Sequence, residues 1–588
     1  MADTLARLLV ERAQRQGDEL AYTFVTDGEE EQRSLTYGQL AADAATVAGQ
    51  LARRVAPGAR VVLVFEAGLD FLVAFFGCQL AGVAAVPVYP PAPGKPGPGL
   101  ANLARVVDDC RAEVILTSPT CQPFAAGAAD HPRLRDVPWV VTRPAGTGTA
   151  APDPAAPVRP DSLALLQYTS GSTGTPKGVL LRHENLLANL DAMDWFVHRP
   201  STGTVVSWLP MYHDMGLIGT VLYPLYKGMP GYLMSPLHFL HRPLRWLKLI
   251  TRVGATISGG PSFAYQLCVR RAEAADTEKL DLSSWQVAFN GAEPINPRVL
   301  RAFEAAYRPY GLRPATVVGC YGMAEASLLI TGAHRQDEPD RVLRVDADQL
   351  AAGQVVTVAP DQPGRDLVSS GRPAPGHDVR ICDPDTGRQL PEGQVGEIWY
   401  LGPSLSSGYW RKPEQTAAAF GATPDTGDGP GPTGFLRTGD LGFLRAGQLY
   451  VTGRHKDLLI VRGRNVYPHD VEETVQAVDP RLRSGGGAAV THVDPLGEGI
   501  AVIQEVTARD PEELRRLAGA IRGAVLTVHQ VPLAAVHLVA PRSVLKTSSG
   551  KIRRSATAAA LRAGELTVLH QQIDPIEEGD DNGPAGTG

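Results

Sequence analysis

Residues 163–178 read LALLQYTSGSTGTPKG. The opening LALLQY is apolar enough to form a buried strand. From Tyr168 to Gly178, eleven residues then hold five serine or threonine hydroxyls, three glycines and one lysine. A strand ending in a glycine-rich turn lets backbone N–H groups converge on an anion, because Gly171 and Gly174 place no Cβ in the way. The hydroxyls of Thr169, Ser170, Ser172, Thr173 and Thr175 add rotatable donors, and Lys177 adds a full positive charge. A polyphosphate uses all of these groups. The spacing is not GxxxxGK[ST], since Pro176 precedes the lysine. A flexible Gly/Ser linker is the competing reading, but linkers rarely follow a buried strand or carry Pro-Lys-Gly.

On either side of this loop, strand-like runs alternate with helical patterns: Val61–Val64, Ala84–Tyr89, Val114–Leu116, Trp139–Thr142, Val205–Leu209, Ala255–Ser258 and Val287–Asn290. The alternation predicts an α/β fold with largely parallel sheets. FLVAFFGCQLAGVAAVPVYP (71–90) is long enough to cross a bilayer. Glu66 and Asp70 precede it, however, and Gly82 and Pro87 divide it, so a buried helix followed by a strand is predicted and no transmembrane segment. PPAPGKPGPG (90–99) and residues 143–160 read as surface loops. After about residue 365, short strands with turn signals predict a β-rich subdomain. From about Leu458 a smaller α+β unit follows. The final stretch, PIEEGDDNGPAGTG (575–588), is acidic and glycine-rich, and disorder is expected over 573–588.

A chain of 588 residues exceeds one hydrophobic core, so roughly two to four domains or subdomains are expected. Hydrophobic and charged contents of 44% and 20% describe an ordinary globular chain. A net charge of −6 argues against nucleic acid as a partner. The six cysteines form no CxxC pair and no zinc spacing; scattered thiols in a reducing cytosol, hence a cytoplasmic location, are expected. The opening MADTLARLLVERAQRQ reads as an amphipathic helix, not a signal peptide.

YTSGSTGTPKG resembles the phosphate loop of the adenylate-forming superfamily, which includes acyl-CoA synthetases, luciferases and nonribosomal adenylation domains. Other motifs of that superfamily follow in order: CYGMAEA (320–326), FLRTGDLGF (435–443), VTGRHKDLLIVRGRNVYP (451–468) and LKTSSGKIRR (545–554). The resemblance implies a large N-terminal domain, residues 1–456, of two parallel-rich α/β subdomains plus a β-rich subdomain over about 366–456. It implies a smaller, mobile α+β lid domain over 457–572.

It also implies site residues. Thr169, Ser170, Gly171, Ser172, Thr173, Gly174 and Lys177 would hold ATP phosphates. Gly291, Ala292 and Glu293 (in NGAEPI, 290–295), with Tyr321, Gly322, Met323 and Ala324, would line the adenine. Asp440 would take the ribose hydroxyls, assisted by Arg454. Glu325 would hold Mg²⁺, a hard cation that prefers oxygen. Lys551 would be catalytic, bridging carboxylate and α-phosphate, and Lys456 would be the hinge. His213 would sit near the acyl-adenylate junction. From the residues alone, His213 could equally be a buried structural histidine, and Lys456 a surface lysine in a turn.

SWLPMYHDMGLIGTVLYPLYKGMPGYLM (207–234) is apolar from Leu217 to Leu225, which suits an alkyl chain. With NGAEPI and CYGMAEA it resembles the fatty acyl-AMP ligases in particular. The long connection before SSGRPAPG (369–376), about residues 334–368, resembles the insertion of that group, which is thought to restrict domain motion and disfavour coenzyme A. A decorative β-hairpin is the plain alternative for this segment. The implied activity is ATP-dependent conversion of a medium- or long-chain fatty acid to its acyl-adenylate. Transfer to an acyl carrier protein supplied in trans would follow. The alternative is a fatty acyl-CoA synthetase.

Overall fold

LALLQYT forms the strand Leu163–Thr169, and the chain turns back antiparallel into Lys177–Arg182, with Thr169 opposite Lys177. The connection over 170–176 is shorter than the roughly dozen residues that a parallel crossover needs, so a hairpin is the available geometry. In the computed structural model, residues 2–573 are described apart from 92–93, 95, 129, 143–157, 170–175, 199–202, 271–278, 335–340, 462–463, 495–496 and 548–549. The expected disorder over 573–588 lies outside the described residues, except Ile573, which ends the strand Val568–Ile573.

The hairpin closes one edge of a 6-stranded sheet ordered Trp139–Val141, Val114–Thr117, Arg60–Val64, Ala84–Val88, Leu163–Thr169, Lys177–Arg182. Its first four strands are parallel, as the α/β alternation predicts. FLVAFFGCQL lies in the helix Leu69–Leu80, which is buried along almost its whole length, as a crossover between two parallel strands requires. Pro87 is tolerated in Ala84–Val88 because the pairing with Leu163–Thr169 is made at Ala85, two residues earlier. Among the described residues no helix is long and apolar enough to cross a membrane.

A 9-stranded sheet runs Arg372–Pro373, Leu329–Gly332, Val317–Gly322, Val287–Asn290, Ile257–Gly260, Val205–Ser207, Gly231–Met234, Leu20–Val25, Gln32–Thr36. Its centre is parallel and its outer strands are antiparallel. The sequence reading finds several central strands but not these outer ones. Gln32–Thr36 is polar and largely exposed, so it carries no hydrophobic period to read. The β-rich stretch forms a 4-stranded sheet in chain order: Asp378–Cys382, Gly396–Leu401, Leu436–Arg445, Gln448–Arg454.

The chain divides into two compact units. The larger holds residues 1–344, 366–438 and 442–451; the smaller holds 345–365, 439–441 and 452–588. Residues 345–365, grouped above with the large domain, therefore fall in the smaller unit. The cause is a set of specific contacts. Arg365 donates to His469 Nε2 at 2.8 Å, pairs with Asp470 at 3.0 Å and lies over the Tyr467 ring at 4.7 Å. Asn465 Nδ2 donates to Ala351 O at 3.1 Å, and Arg464 pairs with Asp348. The smaller unit also holds the antiparallel pair Leu459–Val461 and Arg464–Val466 and a 4-stranded sheet, Leu482–Asp494, Gly497–Val506, Leu533–Val539 and Val568–Ile573, with the helices Pro468–Ala477, Pro511–His529 and Arg554–Arg562.

Candidate active site

Thr169 ends one strand of the hairpin and Lys177 begins the other. Ser170, Gly171, Ser172, Thr173 and Gly174, expected to touch phosphate, lie outside the described residues. The outer edge of Lys177–Arg182 is covered by a backbone strap. Leu180 N donates to Gly408 O at 3.0 Å, Trp410 N donates to Gly178 O at 2.8 Å, and Val179 bridges Tyr409. The strap also reaches the other hairpin strand. Asp109 accepts from Lys412 Nζ at 2.5 Å and from the Tyr168 hydroxyl at 2.6 Å.

Two of the expected site residues meet across one side chain. Lys177 Nζ sits over the Tyr409 ring, 4.9 Å from its centroid. The Tyr409 hydroxyl donates to Glu325 Oε1 at 2.8 Å. Tyr409 and Glu325 are both buried, at 8% and 7% exposure, so this is a charge-assisted hydrogen bond in a low-dielectric setting. The sequence reading misses Tyr409. Its only local signal is the run GYWRKP, a glycine before two large aromatics.

The turn that carries Glu325 is built by close packing. Val317–Gly322 pairs with Leu329–Gly332, and a Cβ on Gly322 would lie 1.7 Å from Leu328 O, so only glycine fits. Ala324–Ala326 then forms a single 3₁₀ turn. Asn189, fully buried and also missed, ties this turn down. Its Nδ2 donates to Ala326 O, Leu329 O and Ser404 Oγ, and its Oδ1 accepts from Leu329 N at 3.0 Å. Tyr321 and Met323 pack against an apolar cluster around Ile330 and Tyr400, while Ala324 is buried. NGAEPI lies beside this element, since Asn290 pairs in register with Gly319. Gly291 approaches Cys320 so closely that a Cβ would sit 2.8 Å from its carbonyl oxygen. Ala292 follows with a left-handed φ of 70°. Glu293 Oε1 accepts from Phe263 N at 2.8 Å, so one carboxylate oxygen serves the start of the helix Ser262–Arg270.

His213 precedes the short helix Asp214–Leu217; its Nδ1 accepts from Met215 N at 3.4 Å and lies 2.5 Å from Asp214 Oδ1. The apolar line that follows is buried: Leu217, Ile218, Val221, Leu222 and Leu225 are at 0% exposure. Ile218–Leu222 forms a π-helical turn, a geometry found often at functional sites.

In the smaller unit, Asp440 and Arg454 are brought together. Arg454 Nε donates to Asp440 Oδ1 at 2.9 Å, and Asp440 is 8% exposed. Lys456 is exposed in the 3₁₀ turn His455–Asp457. Lys551 is exposed too; its N donates to Thr547 Oγ1 at 3.0 Å and its O accepts from Thr547 N at 2.8 Å. Arg554, three residues on, pairs with Asp457 at 2.9 Å and with both oxygens of buried Glu472 at 2.7 and 2.8 Å. Burial pushes the Glu472 carboxyl up, and the guanidinium opposes that shift. The lysine loop and the 455–457 turn thus share one anchor.

A carboxylate with a hydroxyl beside it offers hard oxygen donors. No cluster of three His, Cys, Asp or Glu able to hold a metal occurs among the described residues. A single buried carboxylate fits Mg²⁺, which keeps waters and binds through one or two carboxylates plus substrate phosphates; Glu325 is the group that would hold it.

The chain belongs to the AMP-binding enzyme family, which matches residues 9–410. Residues 456–571 match the AMP domain of the Disco-interacting protein 2-like family. Among individual proteins, it is 40% identical to the medium-chain-fatty-acid–[acyl-carrier-protein] ligase JamA of Moorena producens (strain JHB), over 97% of each chain. It is 38% identical to the long-chain-fatty-acid–AMP ligase FadD26 of Mycobacterium tuberculosis, over 95% of this chain and 97% of the relative. A crystal structure of a fatty acyl-adenylate ligase from L. pneumophila, in complex with acyl adenylate and pyrophosphate, superposes with a TM-score of 0.73 at 35% identity. It covers 97% of this chain and 98% of that one.

Proposed function

We propose that this chain activates a medium- or long-chain fatty acid with ATP and passes the acyl group to an acyl carrier protein. A carboxylate oxygen attacks the α-phosphorus, the bond to the bridging oxygen breaks, and pyrophosphate leaves. The phosphopantetheine sulfur of a carrier protein then replaces AMP at the acyl carbon. The observation that carries this reading is the grouping of Lys177, Tyr409 and Glu325 beside the hairpin, inside a chain that matches acyl-adenylating ligases over nearly its whole length.

In this reading, Thr169, Lys177 and the loop 170–174 take the phosphates, and Glu325 holds Mg²⁺. Bound Mg²⁺ neutralises phosphate charge. Gly291, Ala292 and Tyr321 line the adenine, with Glu293, Gly322, Met323 and Ala324 shaping that wall. Asp440 takes the ribose hydroxyls, its orientation held by Arg454. His213 stands near the acyl-phosphate junction. Lys551 supplies the ammonium that offsets charge between two anions, and Lys456 is the pivot of the smaller domain. The free, mostly buried thiols suit a reducing, cytoplasmic setting.

The deciding experiment incubates the protein with ATP, Mg²⁺, a series of fatty acids and coenzyme A, and resolves products by mass. Accumulating acyl-AMP with little acyl-CoA is expected, and a phosphopantetheinylated carrier protein should then become acylated. Abundant acyl-CoA would make this chain a fatty acyl-CoA synthetase.

A further inference from the structure

We propose that Tyr409 is a positioning residue of the phosphate site, fixing Lys177 with its ring face and Glu325 with its hydroxyl; this rests on the functional reading above. The two residues it touches come from different sequence motifs and supply opposite charges to the same task. Lys177 brings an ammonium to the phosphates, and Glu325 the carboxylate that would hold Mg²⁺. An aromatic face holds an ammonium without neutralising it, so Lys177 stays available to an incoming anion. A hydroxyl donating to a carboxylate fixes its rotation while leaving its charge in place.

Tyr409 is itself held in one conformation. Its backbone N donates to Thr416 Oγ1 at 3.0 Å. Its backbone bridges Val179 on the strand that begins at Lys177. Its ring packs edge-on against Phe420, with centroids 5.4 Å apart. The residue before it, Gly408, has φ +125°, and a Cβ there would lie 2.3 Å from Thr416 Cγ2. Ser406 N donates to Glu325 O at 2.8 Å, so the same strap grips the Glu325 backbone as well as its side chain. If Tyr409 only filled space, phenylalanine or leucine would do as well, and neither supplies a donor to a buried carboxylate.

The test is equilibrium binding of ATP to the full chain, measured once in EDTA and once with Mg²⁺. For the wild type, Mg²⁺ is expected to tighten binding. Tyr409→Phe keeps the ring and loses the hydroxyl. It should bind ATP in EDTA within about twofold of wild type, while the gain from Mg²⁺ shrinks about tenfold. Tyr409→Leu loses both contacts, so its affinity in EDTA should also fall, by about threefold or more. In a Glu325→Gln background, Tyr409→Phe should cost little further. A merely structural role would lower both affinities together and would not single out the Mg²⁺ gain.

A Tyr409→Phe protein with the full wild-type Mg²⁺ gain overturns the proposal, as does a Tyr409→Leu protein with unchanged affinity in EDTA. Should the leucine variant not fold, the phenylalanine variant decides alone, since it keeps volume and packing. A wild type that binds no ATP in either condition removes the functional reading, and this inference with it. An ATP-binding wild type with an indifferent phenylalanine variant removes only the inference.

Discussion

Tyr409 and Glu325 are 84 positions apart, and no spacing rule joins a tyrosine in GYWRKP to a glutamate in CYGMAEA. What the sequence exposes at this scale is chemistry concentrated in one run: five hydroxyls, three glycines and a lysine between Tyr168 and Gly178. Lys177, Glu325, Asp440 and Lys551 are legible because each stands in a recognisable run. Tyr409, Asn189 and Asp109 are not, because their roles consist of contacts with residues far along the chain. Lys551 carries the sharpest single-residue expectation. Its side chain is exposed and only its backbone N and O bond to Thr547, so Lys551→Ala should leave the fold intact. In the proposed mechanism the lost ammonium is the one that offsets charge in the transition state, so acyl-adenylate formation should fall more than about a hundredfold. ATP affinity, measured by equilibrium titration, should change by less than about threefold. Near-normal adenylation by that variant would remove Lys551 from the mechanism.

Elements meet through groups whose protonation depends on that meeting. His183 opens the helix His183–Val197, and its Nδ1 accepts from Leu5 N at 3.1 Å, where the helix Leu5–Gln16 begins. Burial pulls the imidazole down to about 4. In the unfolded chain it titrates near its ordinary value of about 6.5. Between those values the unfolded state takes up a proton that the folded state refuses. Stability from this group is therefore complete above about pH 6.5 and is lost as pH falls toward about 4, by roughly 3 kcal/mol in total. The melting temperature should drop between pH 7.5 and pH 5, and His183→Gln, which keeps an acceptor and does not titrate, should show a smaller drop. An equal drop in the variant would place the acid sensitivity elsewhere. The sequence predicts the first helix from its amphipathic pattern, yet not the helix it docks on, since that choice is made by complementary surfaces rather than by period.

For the whole molecule, the segment 345–365 matters most. The sequence marks it as extra length between two motifs, and the tertiary contacts assign it to the smaller unit through Arg365, Asp348 and Ala351. If this insertion governs the acceptor, loosening its grip should show in the product ratio. Arg365→Ala removes the contacts to Tyr467, His469 and Asp470 together. Acyl-CoA should rise at least about threefold relative to acyl-AMP in the mass-resolved assay, with adenylation itself retained; an unchanged ratio would leave the insertion without a part in acceptor choice. The sequence by itself determined the α/β alternation, the change to β-rich texture near residue 365, and the order of the nucleotide motifs. Each of these is written in local period, turn chemistry or side-chain type. Only the tertiary structure decided that Leu163–Thr169 and Lys177–Arg182 pair antiparallel and which unit claims the insertion. It alone placed one tyrosine between Lys177 and Glu325. Those outcomes depend on which distant surfaces fit, and a linear pattern of side chains does not encode its own partners.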